Sequence, residues 1–114
     1  MKDEMRQIHP DQLAMLLRTM KLDGADLAAI FCHHESEITR GDPAVSLELL
    51  YCFRLANQKM EIVCVRISAE QELVSACPVF PGTLFYENRI RDFYGIRFEG
   101  LEPDHGRRFL GGGR

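Results

Sequence analysis

Four cysteines, an adjacent histidine pair and a scatter of serines and acids are the residues of this chain that could do chemistry. Cys32, Cys52, Cys64 and Cys77 lie 20, 12 and 13 positions apart. These spacings contain no Cys-x-x-Cys knuckle, the part of a zinc or iron–sulfur motif that carries specificity. Scattered thiols on apolar segments are expected to stay reduced and mostly buried, as small apolar side chains. His33-His34-Glu35 invites a metal reading, but neighbours on a strand point to opposite faces, so two adjacent histidines there do not converge on one ion. His9 and His105 stand apart near the two ends. For acyl transfer, Ser36, Ser46, Ser68 and Ser75 lie in no Gly-x-Ser-x-Gly elbow. Glu87 and Asp92 are five apart, roughly 140° around a helix axis, and do not form a dyad. The terminal glycine run leads into no helix that could cradle a phosphate. No catalytic residue, no cofactor and no metal site is therefore expected.

What the chain does concentrate is charge around an aromatic segment. Glu87, Arg89, Arg91 and Asp92 are followed by Arg97, Arg107 and Arg108. A solvated helix face with a basic tail is the plain reading; a docking surface is the other, because arginine and aromatic residues are enriched in interface hot spots. Glu87, Arg89, Asp92, Arg107 and Arg108 are its expected polar members.

The elements that must position these residues are legible in order. Residues 1–8 alternate charge with Met and show no sustained period, which predicts a loosely held start. Pro10 and Asp11 suit a first helical turn, and Leu13, Leu16, Leu17 and Met20 recur at three- and four-residue steps. Asp23-Gly24 stops that helix. Residues 26–34 are predicted as a strand and 36–44 as a loop. Two further strands, 47–55 and 60–68, form an antiparallel hairpin in which Leu47, Leu49, Tyr51, Phe53 and Leu55 make one apolar face. The opposite face is half apolar, as a sheet touched by a partner would need. A three-residue loop sets Cys52 across from Cys64 and a two-residue loop separates them. A stand-alone thiol-dependent binding domain that uses Cys52 and Cys64 is the alternative from another class. A second helix runs from about Pro81 to Tyr94 with Tyr86, Ile90, Phe93 and Tyr94 as its apolar stripe, Glu87–Arg91 as a surface pair and Gly95 as a left-handed cap. Ile96, Arg97 and Phe98 alternate as a last short strand, and residues 101–114 are expected to be flexible.

At 114 residues, with 46% hydrophobic and 27% charged positions, the composition is that of one globular domain. A net charge of −3 argues against nonspecific capture of nucleic acid. No apolar run approaches the ~18 residues of a membrane span, and no signal-peptide pattern opens the chain, so a cytoplasmic protein without membrane insertion is expected.

The segment from Tyr86 to Gly100, YENRIRDFYGIRFEG, resembles the hallmark of the 30 kDa subunit family of respiratory complex I, which also occurs in energy-converting NiFe hydrogenases. In the family pattern an acid, an Arg or Asn and a second acid precede by two residues an Asp-x-Phe/Tyr-Gly-Ile run, followed one residue on by Phe-x-Gly. Glu87, Asp92, Gly95, Ile96, Phe98 and Gly100 match it, and Ser75 lies at the family's usual distance before the Glu. Arg89 replaces the second acid, and Leu101 stands where quinone-reducing members usually carry His. The run FYGIRFEGL after Glu87-Asn88 is similar to the short subunit of Ech-type hydrogenases.

The resemblance implies a single domain over residues 1–114, of α+β class and two layers, with a mixed sheet of four to five strands against two main helices. Ser75, Gly95, Phe98 and Gly100 are implied structural residues. It implies a non-catalytic accessory subunit with no cofactor of its own. That subunit is peripheral on the inner face of the cytoplasmic membrane, beside a large NiFe-type catalytic subunit and a small iron–sulfur subunit. The corresponding 30 kDa subunit of an NADH:quinone oxidoreductase, an enzyme of complex I type, is the alternative.

Overall fold

The computed structural model describes residues 5–34, 46–68 and 71–100. Within them the order is β1 (Met5–Ile8), α1 (Leu13–Leu22), β2 (Asp26–His34), β3 (Ser46–Arg54), β4 (Met60–Ser68), β5 (Glu72–Val74), α2 (Leu84–Tyr94) and β6 (Arg97–Glu99). The first four strands form one sheet in the order β1-β4-β3-β2, with β1 parallel to β4 and the other pairs antiparallel. β5 and β6 form a small parallel sheet of their own. The expected α+β fold with a mixed sheet and two helices is what the chain adopts.

The β3–β4 hairpin is the centre. Period-2 alternation turns Leu47, Leu49, Tyr51 and Phe53 of β3 and Val63, Val65 and Ile67 of β4 to one face, and all seven are buried. α1 lays Leu13, Leu17 and Met20 on that face, a spacing of four and three residues that keeps them in one stripe. Ile90 of α2, Leu73 of β5 and Ile96 and Phe98 close the same cluster. Gly24 ends α1 at φ +87°, a conformation that costs a side chain roughly 1–2 kcal/mol.

The register resolves the position of the cysteines. Cys52 pairs with Ile62 and Cys64 with Leu50, so the two thiols lie diagonally on the open face of the sheet, and the four cysteines form no disulfide. That face carries a polar row across three strands. Glu48 accepts from the Cys64 thiol at 2.8 Å and lies 3.0 Å from His33 Nε2 and 3.5 Å from Arg66 Nε.

Two elements differ from the sequence expectation. The start of the chain forms β1, held by a parallel ladder to β4 and an Arg6–Glu61 ion pair at 2.9 Å. Residues 72–74, which carry no strand signal of their own, pair with β6. Both are short ladders formed with partners far along the chain, and local pattern does not report such pairings. The predicted 36–44 loop and the 101–114 tail, with His105, Arg107 and Arg108, lie outside the described residues.

Candidate functional site

α2 carries the charged and aromatic segment, and its ends are fixed locally. Pro81 opens a 3-10 turn, the Thr83 hydroxyl donates to Phe80 O at 2.7 Å, and Gly95 closes the helix at φ +80° with its N–H on Arg91 O at 2.8 Å. Between those ends, side chains at 100° steps fall into two sets.

The inner set is Thr83, Glu87, Ile90 and Tyr94. Glu87 is 0% exposed. Its carboxylate accepts from Ser75 Oγ at 2.5 Å through Oε1 and from the Ala76 N–H at 2.7 Å through Oε2. Ser75 Oγ accepts in turn from the Cys77 N–H at 3.0 Å. One acid thus ties α2 to the 75–77 turn and satisfies groups that burial would otherwise leave unpaired. Burial pushes the Glu87 carboxyl above its ordinary value, against the opposing pull of the Ala76 N–H and the Ser75 hydroxyl. Tyr51 is buried beneath the helix; its hydroxyl has no hydrogen-bond partner among the described residues. Its acidity is suppressed first by burial and then by the charges of Glu87 and Cys32. At the far end of the set, Tyr94 Oη donates to the Cys32 carbonyl on the edge of β2 at 2.8 Å, and its ring meets His34 edge-on.

The outer set is Phe85, Arg89, Asp92 and Phe93. Phe85 is 63% and Phe93 80% exposed, and the Arg89 guanidinium lies 5.5 Å from the Phe85 ring centre. Asp92 pairs with its neighbour Arg91 at 2.9 Å. Between this ridge and the β2 edge, where Phe31 is 54% exposed, runs a groove of about 690 Å³.

The structure therefore divides the expected docking residues. Arg89 and Asp92 are on the surface; Glu87 is inside, because its helix position shares the inward stripe with Ile90 and Tyr94, and a surface role for it is corrected. Phe93, expected in the inward stripe, points out. The expected Glu87–Arg91 pair does not form, since Glu87 bonds inward and Arg91 bonds Asp92. Arg107 and Arg108 lie outside the described residues. Among the expected structural residues, Ser75 holds Glu87, Gly95 takes the left-handed conformation and Phe98 is buried opposite Leu73. Gly100 sits at φ +92° just past β6, whose Glu99 carbonyl accepts from the Ser75 N–H at 2.8 Å.

Sequence reasoning missed Phe31 and Phe85, the two aromatic residues that complete the groove. Phe85 was open to detection, because it is four residues before Arg89 and eight before Phe93. The thiols offer less chemistry than their number implies. Burial pushes the Cys32 thiol up to about 12 and raises that of Cys52, which disfavours the thiolate that disulfide exchange needs. Among the described residues no group of three or more His, Cys, Asp or Glu is placed to hold a metal ion, and no helix is long and apolar enough to cross a membrane.

No curated protein matches the chain. A family model does, over residues 6–112, which takes in both described sheets apart from Met5, both helices and the Ser75–Glu87 tie. As a subunit of a respiratory-type membrane complex, the chain belongs to the family described as respiratory-chain NADH dehydrogenase, 30 Kd subunit.

Proposed function

We propose that the protein is the non-catalytic accessory subunit of a membrane-bound, energy-converting NiFe hydrogenase. In this role residues 1–114 act as one domain that docks on the large catalytic and small iron–sulfur subunits at the cytoplasmic side and keeps them in register for electron transfer. The observation that carries the reading is how α2 divides its signature residues. Its acid is committed inside the domain, where it orders the 75–77 turn, while Arg89, Asp92 and two phenylalanines stand at the surface. A buried carboxylate that accepts from two donors of the 75–77 turn is a positioning device; an exposed aromatic and charged ridge is the composition of an interface. Arg89 and Asp92, with Arg107 and Arg108 from the tail, supply the polar part of that interface. Leu101 after Gly100, where quinone-linked members of the family carry His, favours the hydrogenase.

The family description itself favours a second reading, the 30 kDa subunit of an NADH:quinone oxidoreductase. Purification of the tagged chain from its native membranes in mild detergent separates the two. A nickel-containing large subunit with an iron–sulfur partner is expected; NADH-oxidising subunits in its place move the assignment to the second reading. The Asp92→Ala, Arg108→Ala double variant is expected to stay folded and to co-elute less. Co-elution of that variant equal to the parent's removes these residues from the interface.

A further inference from the structure

The groove between α2 and β2 is more specific than a generally sticky face. Its ridge, Phe85, Arg89 and Phe93, repeats every four residues along one side of α2 and spans about 12 Å at ~1.5 Å per residue. Ile30, Phe31 and Cys32 of the β2 edge line the opposite side. One cation and one acid of this helix line the groove; Asp92 is paired by Arg91, which does not line it, whereas Arg89 meets no carboxylate among the described residues and lies over the Phe85 ring. The groove thus offers apolar surface on either side of one uncompensated positive charge.

We infer that this groove seats an amphipathic helix of a neighbouring subunit that presents a carboxylate between two apolar side chains, at positions i, i+4 and i+8. This deepens, and rests on, the accessory-subunit reading. Three observations select that occupant. An added strand is disfavoured because the β2 edge is already blunted: the Cys32 carbonyl is taken by Tyr94 Oη, and the His34 carbonyl lies 3.1 Å from His33 Nδ1. A second copy of the chain is disfavoured because any two-fold pairing of the ridge centred on Arg89 brings Arg89 against its own copy. A partner helix has the same 3.6-residue repeat as the ridge, so its row of side chains follows the row of α2, and a carboxylate at the centre supplies the missing charge. The aromatic residues provide the buried area and the Arg–carboxylate pair sets register and rejects wrong partners.

The probes are two fluorescein-labelled, stapled alanine-rich helices that carry Leu, Glu, Leu or Leu, Lys, Leu at i, i+4 and i+8, titrated with the full chain by fluorescence anisotropy. The Glu helix is expected to bind about tenfold more tightly than the Lys helix, the equivalent of ~1.4 kcal/mol. Arg89→Glu should reverse that order, and Phe93→Ser should weaken both. Equal binding of the two helices, no binding of either, or an order indifferent to Arg89→Glu overturns the inference. So does Phe93-dependent binding to phosphatidylcholine–phosphatidylglycerol vesicles with no helix binding, which assigns the ridge to a lipid surface. Co-elution of the parent chain from native membranes is measured alongside. If the chain co-elutes with complex subunits and the helix order fails, the groove assignment falls and the subunit reading stands. If the chain elutes alone, the subunit reading falls whatever the helices do.

Discussion

The inner and outer faces of α2 are built from the same kinds of residue and do opposite work. Each carries an acid and an aromatic ring or two; inside, Glu87 and Tyr94 each end on named backbone groups, whereas outside, Phe85 and Phe93 stand mostly in solvent, with Arg89 over the Phe85 ring. The difference teaches that a residue's type does not set its role here. The 75–77 turn and the β2 edge supply donors and acceptors that the inner set satisfies, and the outer set meets none. Substitutions on the inner face should therefore be read in stability, and those on the outer face in assembly.

The largest effect is expected from Glu87→Ala. It removes a buried carboxylate and leaves the Ala76 N–H and the Ser75 hydroxyl without their acceptor, and each buried orphan costs about 1–3 kcal/mol. A loss of roughly 2–4 kcal/mol in urea unfolding is expected, a large part of the stability of a small domain. A loss under 1 kcal/mol would show that the tie contributes little and that the two faces do not differ as described.

Next comes Gly95→Val. The cap sits at φ +80° with open space where a Cβ would go, so the cost is one of backbone conformation and not of collision. A β-branched residue held there costs about 1–3 kcal/mol. Gly95→Asn, which tolerates the left-handed region, should recover most of it. If both variants unfold with the parent, the helix does not end at this residue.

A smaller effect, but a sharper one, lies in pH. The Glu87 carboxyl is raised from its ordinary 4.5, chiefly by burial. Between that value and the raised one the folded chain keeps a proton that the unfolded chain has released. This group's contribution to stability therefore falls as pH rises through the window and returns on acidification. Glu87→Gln keeps an acceptor for the Ala76 N–H and cannot titrate. The difference in unfolding free energy between parent and Glu87→Gln, followed upward from pH 4.5, should move against the parent as pH rises through the raised value and then level off. A difference flat across that range breaks the assignment of a perturbed acid to the inner face.

Much of this architecture was legible in the sequence alone, for identifiable reasons. Leu13, Leu17 and Met20, the alternation of β3 and β4, and Gly24 and Gly95 report strictly local preferences, which a sequence carries on its face. β1 was not legible because three of its four residues are exposed and its ladder is parallel to a strand more than fifty positions away. Glu87 was misplaced for a different reason. Its charge outweighed its position, although the row Thr83, Glu87, Ile90, Tyr94 falls at steps of four, three and four, and Ser75 waits opposite. The converse error moved Phe93 inward: an aromatic ring counts as core by type until the helix phase is taken from its buried neighbours.

The smallest effect belongs to the outer phenylalanines, and its smallness is the point. Phe93→Ser and Phe85→Ser exchange residues of similar helix propensity at positions 80% and 63% exposed. Each should change stability by no more than about 0.5 kcal/mol. Phe93 is the more sensitive of the two because its ring meets Tyr94 edge-on at 5.0 Å, and Tyr94 in turn holds the β2 edge. Phe85 meets Tyr86 at 6.2 Å between ring centres and the Arg89 guanidinium, neither of which holds the β2 edge, so its effect should be the lesser. Thermal unfolding of the two variants against the parent decides the matter. A cost of about 2 kcal/mol at either position would mean that the ring is packed within the domain, and the outer face would then lose its distinction from the inner one. Unchanged stability together with lost co-elution from native membranes leaves a partner as what these rings are exposed for.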